Sequence, residues 1–272
     1  VVFDRFSARA NSDYKLFNDK VTIGENFTLS RTSEVAAPDG FLQNVLQFNP
    51  SLPVYTKDGE FAGPVGGYPD RENPLARLNR IKDNRYVYWR IFGNAFIDIN
   101  PVKGLHIRTT AGIDYAQKRQ RIFTYPITEG TMANDKNAVE AKQEHWTKWM
   151  WNAIVTYNLE IGKHRADFLL GTELNREIDQ AFGSYKEGYI ILNPDYMWPS
   201  SGTGTAQAYG GNSEGYYTGS YSLISFFGKA NYTYDNRYLV SFTLRHDGSS
   251  RFGKNNRFAT FPSVSAGWRI RQ

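Results

Sequence analysis

The side chains that could support catalysis in this sequence do not fall into catalytic patterns. The four histidines, His106, His145, His164 and His246, lack a metal-ligand spacing such as His-Glu-x-x-His. The glycine-rich stretch 202–211 (GTGTAQAYGG) lacks the lysine and the strand–helix setting of a phosphate-binding loop. A Gly-x-Ser-x-Gly sequence occurs at 211–215 (GNSEG), but it lies within the long polar stretch 175–221 and not between a strand and a helix, so it does not indicate a nucleophile elbow. With no cysteine there is no thiolate metal site or disulfide. We therefore expect no enzyme, no cofactor and no metal site, although two carboxylates that meet only in space remain open as a glycosidase pair.

Aromatic side chains in the polar stretch 175–221 are the better candidates for ligand contact. Tyrosine and tryptophan faces pack well on sugar rings and lose little entropy on binding. The predicted substrate contacts are Tyr196, Trp198, Tyr209, Tyr216 and Tyr217. For any single one of them, a place in an interfacial girdle or an ordinary loop core is the alternative that the sequence favours.

Charged residues at alternate positions of two neighbouring segments form a second candidate site. Arg90, Asp98, Arg108 and Asp114 fall on the polar side of alternating sequences. In Leu105–Tyr115, the residues Leu105, Ile107, Thr109, Ala111, Ile113 and Tyr115 alternate with polar ones. A shift of one residue would put Arg108 and Asp114 on the apolar side, so the register is well specified. Charges on the polar side could select a solute by its charge.

Nine segments with this period of two are predicted to be strands: Val1–Asn11, Val21–Val35, Arg85–Asn100, Leu105–Tyr115, Trp146–Ile161, His164–Leu174, Ser222–Tyr234, Tyr238–His246 and Phe258–Ile270. Several of them reach or exceed the ~9–11 residues that a tilted strand needs to cross a bilayer. Strands of soluble proteins are more often about 5–6 residues long. The sequence therefore indicates an all-β protein with membrane-spanning strands.

The connections between these segments alternate strictly between short and long. Short turns are predicted at Phe17–Lys20, Asn100–Gly104, Gly162–Lys163 and Asp235–Arg237. Between them lie long polar loops at about 36–84, 116–145 and 175–221, with a loop of intermediate length at 247–257 and one short helix at Asp39–Phe48. Outer-membrane barrels have this pattern, because their periplasmic turns are tight and their extracellular loops are extended. The rival interpretation is a soluble all-β sandwich, such as a carbohydrate-binding or glycoside-processing module.

The bulk composition fits a barrel. The chain has 272 residues, is 15% aromatic and contains no apolar run of the ~18 residues that a transmembrane helix needs. The net charge of +5 comes from scattered basic residues, so nucleic acid is not expected as a partner. Nine strands would leave two unpaired edges, at a cost of several kcal/mol per unpaired backbone group in lipid. The simplest solution is a larger barrel of which this chain supplies a part.

Several stretches resemble a known family in the expected order. The most specific is LRHDGSSR followed by FGKNNRFATFPSVSAGWRI, residues 244–270. Further matches are NPSLPVYTKDGEF at 49–61, ENPLARL at 72–78 and NAFIDINPVKGLHIRTTAGIDY at 94–115. They are similar to the SusC/RagA family of TonB-dependent outer-membrane transporters. The resemblance covers nearly the whole chain and is weakest in 126–144 and 184–220.

The resemblance implies a barrel of usually 22 strands, filled by an N-terminal plug and preceded by a small extension. It implies a SusD-like surface lipoprotein as a lid, energy from the TonB–ExbB–ExbD complex acting on the plug, and import of oligosaccharides or peptides across the outer membrane. It favours plug docking as the role of the lumen-facing charges Arg90, Asp98, Arg108 and Asp114. Within 1–272 we recognise no plug, TonB box or N-terminal extension, so residues 1–272 are expected to be a middle portion of the barrel.

Overall fold

The computed structural model describes residues 2–210 and 219–270. Its strands are β1 (Val2–Leu16), β2 (Val21–Val35), β3 (Arg85–Ile99), β4 (Leu105–Thr124), β5 (Ile127–Glu129), β6 (Met132–Asn134), β7 (Ala138–Ile161), β8 (His164–Glu187), β9 (Ala206–Gly210), β10 (Gly219–Tyr234), β11 (Tyr238–Ser249) and β12 (Phe258–Trp268). Two short helices, α1 (Phe41–Gln47) and α2 (Pro74–Ile81), lie between β2 and β3.

One antiparallel sheet of ten strands makes up most of the described chain. Its order is β1-β2-β3-β4-β7-β8-β10-β11-β12, with β9 paired to the far end of β8, while β5 and β6 form a separate hairpin. The main path follows chain order, so the predicted up-and-down all-β arrangement is confirmed. The sheet is open within this chain, and no second sheet packs on it among the described residues. The soluble two-sheet sandwich is therefore the wrong interpretation.

The predicted tight turns all lie at one end of the sheet. Asp235 and Asn236 join β10 to β11 with φ angles of 50° and 51°. They are the central residues of a turn closed by the Arg237 N–H, which donates to the carbonyl oxygen of Tyr234 at 2.9 Å. Positive φ at both positions matches the right-handed twist of a hairpin, and Asn and Asp tolerate it. Gly104, with φ at 84°, closes the turn between β3 and β4. By the barrel rule this is the periplasmic end, and the long connections lie at the extracellular end.

Three central strands run further toward the extracellular end than the sequence pattern predicted. β4 continues from Tyr115 to Thr124, β7 begins at Ala138 instead of Trp146, and β8 continues from Leu174 to Glu187. The expected loops at 116–145 and 175–221 are correspondingly shorter. The apolar stripe ends where the strands were predicted to end, but backbone pairing continues without it.

The two faces of the sheet differ in chemistry along its whole width. On the outer face, Ile107 stands opposite Val155, and Val155 stands opposite Leu170. Leu170 is 66% exposed and Val264 is 70% exposed, although both belong to a regular apolar stripe. Side chains of this kind, with no protein layer over them, fit contact with lipid acyl chains. The opposite, inner face carries every Asp and Glu of β3, β4, β7 and β8 and corresponds to a barrel lumen.

The buried side chains of the described part are concentrated at the extracellular end. Phe123, Val139, Tyr189 and Met197 form a small core there, with Tyr125 packed against it. The segment around Tyr189 and Met197 thus lies over the extracellular extension of β4 and β7. No helix among the described residues is long and apolar enough to cross a membrane.

Candidate functional site: the inner face and the extracellular loops

The four predicted inner-face charges lie on β3 and β4 and pair with each other. Arg90 donates from Nε and Nη2 to the two carboxylate oxygens of Asp114, at 2.7 and 2.6 Å. Nearer the periplasmic end, Arg108 donates to Oδ2 of Asp98 at 3.4 Å, and its guanidinium lies 4.1 Å from the centre of the Phe96 ring. Register explains the pairing, because Asp98 stands directly opposite Arg108.

His106 also belongs to this inner-face group. Its Nε2 lies 2.5 Å from Oδ1 of Asp98, yet that oxygen has no partner in hydrogen-bond geometry. The inner face therefore holds its own counter-ions, and whether these groups also meet a solute or a plug stays a prediction.

A second inner-face cluster lies near the extracellular mouth. The sequence indicated only two of its members, Arg245 and Asp247, among the charges around the loop at 247–257. Arg245 donates to Asp247 at 2.8 Å and to the Ser225 hydroxyl at 2.9 Å, and it lies 3.9 Å from Glu173. The phenol of Tyr221 donates to Glu177 at 2.9 Å. These residues come from three strands, so only the register between β8, β10 and β11 brings them together. Their positions on the polar side of the alternation were the available signal.

The predicted loop aromatics have separate surroundings. Tyr196 is 62% exposed, while the ring of Trp198 lies 4.2 Å from the Arg121 guanidinium, on the outer face. The backbone of Tyr209 pairs with Gly183 as part of β9. Tyr216 and Tyr217 lie outside the described residues. Contact of these five residues with substrate stays a prediction.

Tyr189, in the same loop, is a structural residue. Its hydroxyl donates to the carbonyl oxygen of Trp198 at 2.9 Å, and its backbone N–H donates to Asn137 at 2.6 Å. Burial raises the pKa of Tyr189 above its usual range. Tyr125 packs beside it and donates to Asp83 at 3.0 Å; burial, together with this hydrogen bond, raises the pKa of Tyr125 as well. These contacts hold the segment that carries Tyr196 and Trp198 against the sheet.

A buried polar network joins two extracellular loops. Asn73, only 1% exposed, caps α2 by accepting from the N–H groups of Leu75 and Ala76, and donates to the carbonyls of Val54 and Ala62. Glu129, on β5, is 4% exposed.

Glu129 accepts from Arg80 of α2, which also pairs with Glu72. Glu129 further accepts from the backbone N–H of Asn73 at 3.4 Å. The 36–84 loop and the β5–β6 hairpin therefore form one extracellular unit. The predicted helix at Asp39–Phe48 is confirmed as α1, while α2 was not predicted.

No group of three or more His, Asp or Glu side chains in the described ranges is arranged to hold a metal. What the fold does provide is a one-layer, up-and-down antiparallel sheet with a lipid-like outer face, a polar inner face, tight turns at one end and folded loops at the other. That combination defines the chain as outer-membrane β-barrel sequence.

Known proteins of similar sequence and structure agree with this class. No protein-family model matches the chain. The TonB-dependent receptor SusC of Bacteroides thetaiotaomicron is 28% identical over 297 aligned residues, which cover 99% of this chain and 28% of the relative. The TonB-dependent receptor P26 of Formosa agariphila is 28% identical over 276 residues, covering 98% of this chain and 26% of the relative. The chain thus spans little more than a quarter of the length of these curated relatives.

Among solved structures, the RagAB peptide transporter superposes with a TM-score of 0.80 at 22% identity, covering 98% of this chain and 30% of that one. The RagAB peptide importer in its open-open state gives 0.80 at 23% identity. Together with the sequence relatives, these matches show that the chain is similar to barrel sequence of TonB-dependent receptors, in agreement with the predicted resemblance to the SusC/RagA family. The predicted outer-membrane location is confirmed by this similarity.

Proposed function

We propose that the protein carrying this chain imports oligosaccharides or peptides across the outer membrane in a TonB-dependent manner. The observation that carries the proposal is similarity to TonB-dependent receptors over 98–99% of the chain. The RagAB structures, whose descriptions name a peptide transporter and importer, support the same class of activity. The reaction is binding and passage, and no covalent chemistry is part of it.

In this proposal, residues 1–272 supply barrel strands and extracellular loops, and other parts of the protein supply the plug, the TonB box and the N-terminal extension. TonB–ExbB–ExbD would act through that plug. A SusD-like lipoprotein is the proposed lid on the extracellular side. The unit made by the 36–84 loop and the β5–β6 hairpin supports such a role, because its buried Asn73 and Glu129 hold it in one shape for a partner.

The proposed substrate contacts are the loop aromatics Tyr196, Trp198, Tyr209, Tyr216 and Tyr217. Trp198 is the least well placed of them, because its ring lies against Arg121 on the outer face. The exposed ring of Tyr196 is the one best placed for them among the described residues. Arg90, Asp98, Arg108 and Asp114 are proposed to face the plug. Because they already pair with each other, they would present alternating charge to it and not a net charge.

The test is uptake by cells that make the complete receptor, a receptor lacking its TonB box, or no receptor. Fluorescently labelled oligosaccharides and peptides of matched mass would be supplied in separate experiments. We expect uptake of one class, lost both without the receptor and without the TonB box. Uptake that persists without the TonB box would overturn TonB dependence, and uptake of neither class would overturn the proposed substrates.

A further inference from the structure

The outer face of the sheet has an unusual distribution of charge. On β3, β4, β7 and β8, every Asp and Glu lies on the inner face, from Asp98 and Asp114 to Glu177. The outer face of the same strands nevertheless carries arginines. They are Arg85, Arg119, Arg121 and Arg176, joined by Arg31 on the neighbouring β2.

These arginines begin where the apolar stripe ends, on the extracellular side. Arg31 is the next outer-face residue after Leu29 on β2, and Arg176 is the next after Leu174 on β8. On β4 the stripe from Leu105 to Tyr115 rises about 25 Å, taking about 3.3 Å per residue and a tilt of about 40°, which matches the apolar band of a barrel. The arginines therefore lie at the level of the outer-leaflet headgroups.

The arginines have no protein counter-ion in the described ranges. No carboxylate there forms an ion pair with Arg31, Arg85, Arg119 or Arg121. The acidic residue on the outer face of the adjacent β1 is Asp4, which stands opposite Ser33 and forms no ion pair with Arg31.

Arg85 also stands directly opposite Arg121 in the ladder. Like charges at opposed positions destabilise a sheet. An anion bound between Arg85 and Arg121 would remove that penalty, so this pair favours binding of a negatively charged ligand.

Aromatic side chains complete the surface. Arg31 lies 5.7 Å from the centre of the Trp89 ring, and Arg121 lies 4.9 Å from Phe123 and 4.2 Å from Trp198. Together, Arg31, Arg85, Arg119, Arg121, Trp89 and Trp198 line a shallow groove of about 760 Å³, here called the outer-face groove. Its floor is the sheet, and it continues downward into the lipid-facing stripe.

We propose that the outer-face groove binds the phosphorylated headgroup of a lipid of the outer leaflet. Planar guanidinium groups bind phosphate oxygens in pairs and lose less hydration than an ammonium would. The groove opens onto the apolar stripe, so the acyl chains of the same lipid can lie along Ile91 and Leu29. This continuity favours a lipid over a soluble anion, and the lack of carboxylates favours a polyanionic headgroup. The inference rests on the outer-membrane location and is independent of what the protein transports.

The experiment uses the complete receptor in detergent, with bisphosphorylated lipid A as the probe and native mass spectrometry as the readout. The test variant is Arg31→Gln/Arg85→Gln/Arg119→Gln, which leaves the packed Arg121 in place. The matched control, Arg71→Gln/Lys254→Gln/Arg257→Gln, removes three exposed cations from extracellular loops. Heat-modifiable migration on gels verifies that both variants fold.

We expect the test variant to bind lipid A at least about tenfold more weakly than the control, since each surface cation adds on the order of a factor of five to anionic-lipid binding. Monophosphoryl lipid A should bind the unmodified receptor with an affinity below that of bisphosphorylated lipid A and above that of bisphosphorylated lipid A for the test variant. Millimolar inorganic phosphate should not displace lipid A. Equal binding by the variant and the control would overturn the proposal. Displacement by inorganic phosphate would show a free-anion site instead. If the test variant binds lipid A as the control does but forms fewer receptor dimers, a second copy of the receptor covers the groove and the lipid proposal is overturned.

Discussion

Arg90 and Asp114 form a two-point ion pair across β3 and β4, on the face that a closed barrel would turn to its lumen. Asp114 does not stand opposite Arg90 in the ladder but opposite Phe92, so the arginine reaches diagonally. The side chain of Arg90 is 56% exposed and that of Asp114 is 28% exposed. Each charge is thus already matched before any plug or solute is considered.

Exchanging these two residues tests whether a plug or a solute interacts with the charges of the pair. In Arg90→Asp/Asp114→Arg the attraction is preserved and its direction is reversed. Exposed pairs contribute about 0–1 kcal/mol, so we expect the exchanged receptor to keep its stability, measured as the midpoint of heat-modifiable gel migration. Its uptake rate should fall, because the proposed plug contact meets the reversed polarity, and unchanged uptake would contradict that contact. The measurement is uptake beside the single variant Asp114→Arg, which places two cations together. Loss of uptake in the folded, exchanged receptor would show that a plug or solute depends on the original polarity.

The buried amide of Asn73 is predicted to hold the 36–84 loop in shape. Asn73→Ala removes an N-cap worth ~1 kcal/mol and leaves the buried carbonyl of Ala62 without the Asn73 donor, for a further ~1–3 kcal/mol. The carbonyl of Val54 loses the same donor but still accepts from the backbone N–H of Ala62 at 3.0 Å. We expect faster cleavage of this loop when proteases are added to intact cells.

The matched variant for this loop is Asn49→Ala, since the Asn49 side chain accepts from the N–H and the hydroxyl of Ser51 in an exposed turn. It should leave the cleavage rate nearly unchanged. Equal cleavage of the two variants would mean that the loop is held by something other than the Asn73 network.

The outcome for the three central strands shows what the sequence can and cannot predict. Alternation located the apolar stripe correctly, and the turn residues located the periplasmic end. It stopped β4, β7 and β8 short of their extracellular ends, because the extensions carry polar residues on the outer face, such as Gln117 and Arg119 on β4 and His145 on β7. Backbone hydrogen bonds continue through such residues, since a ladder already begun needs no apolar side chains to extend.

The ion-pair partners of the inner-face charges could not be predicted from the sequence, although the face on which each charge lies could. Alternation put Arg90, Asp98, Arg108 and Asp114 on one face, but which carboxylate meets which arginine depends on cross-strand register, which the pattern of one strand does not contain. Helix α2 had a readable signal, with Asn73 as N-cap and Pro74 in the first turn. That signal was hidden because the segment is short and its neighbours are turn residues.

Gly171 is predicted to be needed as glycine because of the aromatic ring opposite it. A Cβ at this position would overlap the ring of Phe227, its direct cross-strand neighbour on β10, and that ring lies 5.4 Å from the Arg245 guanidinium. Gly171→Ala should cost about 1–3 kcal/mol, because the ring must move and disturb the inner-face cluster. The measurement is the denaturant midpoint of the folded receptor.

The control for Gly171 is Gly210→Ala on β9, where a Cβ would lie 3.8 Å from Phe182, an ordinary contact. We expect little change in its midpoint. If Gly171→Ala unfolds at the same denaturant concentration as Gly210→Ala, the ring of Phe227 is free to move aside and the close approach has no energetic consequence.

Two adjacent leucines on β8 offer the sharpest test of which face meets lipid. Leu170 lies opposite Val155 and Gly228 on the outer face, near the middle of the apolar stripe, and Leu169 lies opposite Thr156 and Lys229 on the inner face. An arginine at the bilayer midplane of a barrel costs about 2–4 kcal/mol, whereas one facing an aqueous lumen costs little. Leu170→Arg should therefore reduce the amount of folded receptor in the outer membrane.

Leu169→Arg introduces the same charge one residue away and should leave that amount nearly unchanged, because its guanidinium points into the polar face. The measurement is the heat-modifiable receptor band in isolated outer membranes, compared at equal synthesis. The order of the two effects carries the test, since both variants alter the same strand at the same depth. A larger loss for Leu169→Arg would reverse the faces, place the lipid on the charged side of the sheet and contradict the barrel orientation. Equal losses would mean that neither side chain meets lipid.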